Sequence, residues 1–381
     1  MGYLPAKPKG SPIWVHAASL GEAQAAQSLI EALLARQPRP LLLITTFSAT
    51  ARRHCRERYG DRAVVAAAPY DLPLFVNRVL REARPRIAIF VETEIWPNLY
   101  RALDRRQVPI LIVSARISSR AFDRYRRFRG LIAGCLQRVA RIGAQTQADA
   151  ERFVALGALT QRVSVMGNLK FDRQPPGDLA VQGPALRRER FGDRPVWVAG
   201  STREGEEASL LEAFKAVRQR EPDCALVLAP RHPERATALA VMAEAAGFEI
   251  DLYSKSRGRL DATILIVDAV GELMKFYAAA DVVFVGGTLA DIGGHNILEP
   301  AMLGRPVVTG PHLVNWRELA GEMTAAGGLT VVTGAADLAE AINRLLADGD
   351  ARARAGAAAQ ACVEQNRGAL THALQLIQDA M

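Results

Sequence analysis

The sequence predicts an α/β protein made of two Rossmann-like domains, and three observations carry that prediction. The first is length, since 381 residues suffice for two domains that each bury a core of their own. The second is a series of short, charge-free, β-branched runs at residues 41–46, 87–91, 110–113, 196–199, 225–229, 264–267 and 282–285, with helical stretches between them. Strands that are apolar on both faces belong to parallel sheets covered by helices on either side. The third is the stretch 281–308, in which a strand ends in Gly286-Gly287, a loop carries Gly293-Gly294, and a helix start precedes the next strand. That order places a glycine-lined loop at the carboxyl edge of a sheet, where open α/β folds bind phosphorylated ligands.

In chain order, residues 13–18 form the first strand and are followed by Ser19-Leu20-Gly21-Glu22 and a helical run. Ser19 and Glu22 have capping-box spacing, so Glu22 either serves only the helix start or faces a cleft as a general base. A helix N-terminus keeps a carboxylate ionised, and a base must be unprotonated to act. After the strand at 87–91 come Glu92-Thr93-Glu94, whose carboxylates at i and i+2 point the same way at a strand end. They suit a metal, a proton donor, or complementarity to the dipole of the helix that Pro97 opens. Residues 120–129 hold five arginines and three aromatics beside one acid. Such a stretch is either a solvated helix face or a surface for phosphate or anionic lipid. Lys170 reads as a surface lysine or a substrate contact. The Pro/Gly-rich segment 173–194 reads as a linker.

In the second half, Ser201 and Glu204 form another candidate capping box after the strand at 196–199. Arg231 follows the strand at 225–229, where a guanidinium can fork onto phosphate or carboxylate, and His232 stands beside it. The turn holding Gly271 and Met274 follows the next strand and is positioned to frame a base. Asn296 fits an N-cap, with Glu299 three residues on and Pro300 in the first turn. Glu299 either completes that cap or accepts from two vicinal ribose hydroxyls. Residues 351–381 read as helix crossing back to the first domain.

Composition narrows the classes. Four cysteines are far apart without a C-x-x-C pair, which speaks against a disulfide framework or a zinc knuckle and for a reducing compartment. No run approaches the ~18 apolar residues of a membrane span, and residues 1–11 lack a signal-peptide core. Charge is uneven: residues 1–180 carry 28 Lys+Arg against 14 Asp+Glu, net +14, leaving 48 − 28 = 20 against 40 − 14 = 26, net −6. A positive field on one half calls for an anionic partner: nucleic acid, anionic membrane or phosphorylated substrate. No nucleic-acid reader motif accompanies the charge.

The stretch GGHNILEPAMLGRPVV closely resembles the donor-site motif of the 3-deoxy-D-manno-octulosonic acid (Kdo) transferases of Gram-negative bacteria, glycosyltransferase family 30. Others recur in family order from His16 to Asn315. HAASLGE resembles H-A-x-S-x-G-E, Thr45-Thr46-Phe47-Ser48 resembles T-T-x-T/S, and ETEIWPN is nearly word for word E-T-E-x-W-P-N. Ser114-Ala115-Arg116-Ile117-Ser118 is similar to N-A-R-L-S, and residues 167–172 to G-N-x-K-F-D. In the second half the resemblance covers Ala199-Gly200-Ser201-Thr202 and Pro230-Arg231-His232-Pro233-Glu234-Arg235.

The resemblance implies a GT-B glycosyltransferase fold, two Rossmann-like domains facing a deep cleft. Residues 1–172 would bind the acceptor and 195–350 the nucleotide sugar, with 351–381 packing back. It implies Glu22 as the base that deprotonates the acceptor hydroxyl, with Ser19, Gly21, Glu92, Glu94, Arg116 and Lys170 on the acceptor side. On the donor side it implies Ser201, Arg231, His232, Gly271, Met274, Gly286, Gly287, Gly294, Asn296 and Glu299. The implied reaction is inverting transfer of Kdo from CMP-Kdo to a lipid A precursor, lipid IVA, at the cytoplasmic face of the inner membrane. No cofactor, catalytic metal or nucleic-acid partner is expected, and Asp348-Gly349-Asp350, the only D-x-D, reads as a solvated turn. Relatives usually begin with a hydrophobic anchoring helix, whereas here the first strand comes within a dozen residues of Met1, so membrane attachment is an expectation from the family. The alternatives are a GT-B transferase or epimerase using a UDP-sugar, and a non-catalytic nucleotide-binding membrane protein.

Overall fold

The computed structural model describes residues 4–175 and 177–381. These residues divide into two compact units, one comprising the chain up to Arg173 together with Asn366–Met381, the other Gln174–Gln365. The first unit is built on a parallel sheet of β1 (Ile13–His16), β2 (Leu42–Thr46), β3 (Val64–Ala67), β4 (Ile87–Val91), β5 (Ile110–Ala115), β6 (Arg141–Ala144) and β7 (Val163–Val165). Its spatial order is β3-β2-β1-β4-β5-β6-β7. The chain therefore winds outward from β1 to β3, returns to the centre and winds the other way from β4. The order reverses between β1 and β4, where Val15 pairs with Ile89.

Side chains alternate across this sheet as strand geometry requires. Ile13 and Val15 pack with Leu29, Leu33 and Ile377 on one face; Trp14 packs with Phe90 and Tyr100 on the other. Full burial of such side chains contributes roughly 1.5–3 kcal/mol each. The helix Ala369–Ala380 buries Ala369, Ala373 and Ile377, one face at a spacing of four residues. Asp172 holds its start, accepting from the N–H of Gly368 and of Leu370 at 2.9 Å each.

The second unit repeats the plan with β8 (Val196–Thr202), β9 (Ala225–Pro230), β10 (Ile250–Leu252), β11 (Ile264–Ile266), β12 (Val282–Val285), β13 (Val307–Thr309) and β14 (Leu329–Val331). The order is β10-β11-β9-β8-β12-β13-β14, all parallel, and it reverses between β8 and β12. Trp197, Phe214, Leu226 and Phe284 belong to its core.

Two expectations need correction. The segment 173–194 is not a free linker: Leu179–Leu186 is helical and runs through a wider turn, Arg187–Phe191, into the second unit. Gly183 serves close packing there, since a Cβ on it would lie 2.4 Å from the Cβ of Ala278, and Arg187 pairs with Asp281 at 2.8 Å. Residues 351–381 are not one element. Gly349–Gln365 stays with the second unit, and only the helix after Gly368, whose φ is 113°, belongs to the first. Asp348 is exposed to solvent between two helices, and its side chain caps the helix Gly349–Gln365 by accepting from Ala351 N–H at 2.8 Å.

Candidate active site

In the first unit the loops after β1 and β4 meet at the point of reversal, and each delivers acids. Ser19 caps the helix Leu20–Ala25, its hydroxyl accepting from the Glu22 N–H. Glu22 turns back over the helix start: Oε2 accepts from Ala18 N–H at 2.7 Å and Oε1 from the Ser19 hydroxyl at 2.9 Å. The capping geometry is therefore real, and it aims the carboxylate at the sheet edge. Burial raises the pKa of Glu22 above the ordinary value of 4.5, with further upward push from the charge of Glu94 and, more weakly, Glu92; the Ala18 and Ser19 hydrogen bonds oppose this. Three carboxylates thus share one electrostatic neighbourhood.

The other two have partners of their own. Glu92 Oε1 forms an ion pair with Lys170 Nζ at 2.8 Å, and its φ of 62° places it in the left-handed region at the end of β4. Ser114 at the end of β5 has φ 53°, and such strain clusters where a fold holds functional groups. Asn168 sets Lys170 in place, its Oδ1 accepting from the Lys170 N–H at 3.0 Å while its Nδ2 donates to Gln145 at 3.1 Å. Glu94 accepts from the Trp96 indole N–H at 2.7 Å, and His16 Nε2 lies 3.7 Å from the same oxygen. His16 is 3% exposed, and its Nδ1 is 2.9 Å from the Thr45 hydroxyl, which also accepts from the Trp14 indole. The tautomer with hydrogen on Nε2 lets Nδ1 accept from Thr45 and turns an N–H toward Glu94.

Beside these acids the surface is apolar. Phe47 meets Tyr70 edge-on and Trp96 at a tilt, with centroids 5.6 and 6.1 Å apart, and Leu72 and Leu74 remain 55% and 63% exposed. Gly21 and Arg116 are exposed. The arginine-rich segment forms the helix Ser119–Arg127, none of whose residues is buried.

In the second unit the loops after β8 and β12 meet at the corresponding reversal. The Gly286-Gly287 turn is stitched to the later glycines by Gly294 N–H to Gly287 O at 2.8 Å and His295 N–H to Gly286 O at 3.1 Å. Gly287 has φ 69°, and a Cβ there would stand 2.8 Å from the His295 ring, so only glycine fits. Ser201, at φ 57°, is the last residue but one of β8. Asn296 Oδ1 accepts from Leu298 N–H at 3.1 Å, but the cap position of the five-residue helix Leu298–Met302 is Ile297, one residue later than the spacing implied. Its dipole is correspondingly weak. Glu299 is half-buried and close enough to raise the pKa of the buried Tyr277 phenol further, burial being the larger cause. Gly271 and Met274 follow β11, and Met274 lies in the helix Leu273–Ala279, whose Tyr277 packs against Gly200 of β8.

Arg231 and His232 are exposed at the end of β9, and Arg203 Nη1 lies 2.6 Å from His232 Nε2. His295 is pushed down to about 4, first by burial and then by Arg231, Arg203 and His232, so it is neutral at pH 7. Four nitrogen-rich side chains thus converge on one sheet edge, the arrangement an anionic ligand requires.

Sequence reasoning passed over several of these groups. Arg203 and His295 complete the basic cluster, and two buried acids organise the loops. Glu207 makes a bidentate pair with Arg235 at 3.1 and 2.8 Å, while Glu206 accepts from main-chain amides of both loops. The acidic run Glu204-Gly205-Glu206-Glu207 shows acids at a helix start but does not say which of them are buried.

A family model for 3-deoxy-D-manno-octulosonic-acid transferase (kdotransferase) matches residues 1–173, and one for glycosyl transferases group 1 matches residues 208–361. A 3-deoxy-D-manno-octulosonic acid transferase of Haemophilus influenzae is 34% identical over 372 residues, 97% of this chain and 87% of that protein. One from Bordetella pertussis is 36% identical, over 98% of this chain and 88% of its own. Among solved structures, a UDP-GlcNAc 2-epimerase from Neisseria meningitidis bound to UDP-GlcNAc superposes with a TM-score of 0.64 at 12% identity, covering 97% of this chain and 100% of that one, a likeness of fold alone. The two seven-stranded parallel sheets and these matches make the fold GT-B, with two Rossmann-like domains.

Proposed function

Because the chain belongs to the Kdo transferases, glycosyltransferases of lipopolysaccharide biosynthesis, we propose that it transfers Kdo from CMP-Kdo to lipid IVA, the lipid A precursor, with inversion and without a metal. The observation that carries this reading is the sorting of the three carboxylates. Glu92 is neutralised by Lys170 and Glu94 is held by Trp96 beside His16, whereas Glu22 is bonded only by neutral donors and has a raised pKa. A carboxylate whose proton affinity is raised is, in its ionised form, the stronger base.

In the proposed step Glu22 takes the proton of the acceptor hydroxyl as its oxygen bonds to the anomeric carbon. The bond from that carbon to the phosphate oxygen breaks, its electron pair leaves with CMP, and Arg231, Arg203 and His232 stabilise the departing charge. Ser201, Asn296 and Glu299 would hold the donor, Gly286, Gly287 and Gly294 would let the main chain approach it, and Gly271 with Met274 would frame the base. The apolar surface at Phe47, Tyr70, Leu72 and Leu74 beside the acids suits an acylated acceptor. The Arg120–Arg129 segment suits the acceptor phosphates and the anionic cytoplasmic face of the inner membrane. Among the described residues no helix is long and apolar enough to cross a membrane.

The test is transfer from CMP-Kdo generated in situ to tetra-acylated bisphosphorylated acceptor, with and without EDTA, read by product mass. Product that gains the mass of Kdo, unaffected by EDTA, is expected. Transfer from a UDP-sugar and none from CMP-Kdo would overturn the donor assignment.

A further inference from the structure

Glu206 is 0% exposed, and its partners are main-chain amides. Oε1 accepts from the N–H groups of Arg203 and Gly287 at 2.7 Å each; Oε2 accepts from those of Thr288 and Leu289 at 3.3 Å each. These four residues belong to two loops, one after β8 and one after β12, at the point where the strand order reverses. Gly286 makes room for the contact, because a Cβ on it would lie 2.6 Å from Glu206 Oε1 and 2.5 Å from the Ser201 carbonyl oxygen.

Successive amides converging on one acceptor form the nest by which glycine-rich loops hold a phosphate. Here a carboxylate of the chain itself already fills that nest. The N–H groups of residues 287–289 are committed, and an anion among them repels a second anion. The remaining donors at this edge are side chains, with Arg203 against His232 at 2.6 Å and Arg231 close enough to act on His295.

Resting on the reading of this unit as the donor site, we propose that Glu206 is a positioning residue. It occupies the amide nest between the two loops and leaves the donor's phosphate to the side chains of Arg231, Arg203 and His232. The glycine loop is then a rigid floor shaped by an internal anion.

The experiment labels the full chain with ¹⁵N at glycine, threonine and leucine and titrates it with CMP and, separately, cytidine. The amides of Gly287, Thr288 and Leu289 are expected to keep their resonances nearly unmoved through CMP saturation. The Arg203→Ala/Arg231→Ala variant should lose the preference for CMP over cytidine. Large shifts of those amides that CMP causes and cytidine does not, or a preference that survives in the double variant, would overturn the proposal. Glu206→Gln should raise the donor KM and the CMP Kd by about tenfold or more, since it turns an NH₂ toward amides that need an acceptor. The acceptor KM should stay within twofold; equal changes in both constants, or an unchanged CMP Kd, refute the positioning role. Should that variant not fold, the labelled wild-type titration decides by itself. A chain that binds UMP and not CMP sinks the donor reading, and the same titration with UMP still judges Glu206.

Discussion

Glu22→Gln separates a base from a cap. The two side chains are nearly the same size, and glutamine keeps one acceptor oxygen for either Ala18 N–H or the Ser19 hydroxyl, both of which Glu22 serves at 2.7 and 2.9 Å. One hydrogen bond is lost, a cost of about 1 kcal/mol. Opposing this is a gain at neutral pH. The folded pKa lies above the unfolded one, so the folded chain holds the proton more tightly, and stability falls as pH rises from 4.5 through the raised value. Removing the group removes that loss, and the melting temperature should stay within about 3 °C. Loss of a general base lowers kcat by roughly 10²–10⁴-fold, or about 2.7–5.5 kcal/mol of barrier. The kinetic effect therefore outweighs the structural one. The assay follows kcat by product mass at saturating acceptor, with melting measured on the same preparation. In wild type the rate should fall as pH drops through the Glu22 pKa, because the base works only when ionised. A kcat within fivefold of wild type at unchanged Tm would refute the assignment and return the search to Glu92 and Glu94.

Lys170→Met removes the cation from Glu92 and leaves an uncompensated negative charge near Glu22. The acid limb of the kcat profile should move to higher pH; an unmoved limb means that Glu22 is not the titrating base. Gly287→Ala combines a left-handed φ of 69°, about 1–2 kcal/mol, with contact to the His295 ring, about 1–3 kcal/mol more. Gly271→Ala at φ 90° meets nothing within 4 Å and bears the backbone cost alone, so urea unfolding should rank the two variants in that order. Reversing Arg124, Arg126 and Arg127 to glutamate should weaken binding to phosphatidylglycerol vesicles by 100-fold or more at low salt, at about 1 kcal/mol per arginine removed from the surface. Equal binding by both proteins would show that the membrane contact lies elsewhere.

The family relation was legible because the recurring motifs are loop residues whose chemistry does not depend on distant partners. ETEIWPN and GGHNILEP state their charges and glycines within a few positions, and Asn296 bonds the start of the short helix Leu298–Met302 through Leu298 N–H. The central strands were equally plain, since β1, β2, β4, β5, β8, β9, β11 and β12 are buried almost throughout and begin as apolar runs, polar residues coming only toward their carboxyl ends. The four edge strands, β3, β7, β10 and β14, were not. An edge strand is covered on one side only, so Val163-Ser164-Val165 and Ile250-Asp251-Leu252 carry polar residues that break the pattern.

What tertiary structure alone decided is which charge meets which. Lys170 reaches Glu92 across 78 residues, and Glu206 reaches Gly287 across 81. Nothing local distinguishes Glu206 from its exposed neighbour Glu204; the packing of β8 beside β12 buries one and leaves the other in water. The linker misreading has the same origin. Gly183 is chemically a flexible residue, and only the presence of Ala278 against it turns flexibility into close packing. Sequence spacing fixes what lies within a turn or a strand, whereas the pairing of residues far apart follows from which sheet edges come together.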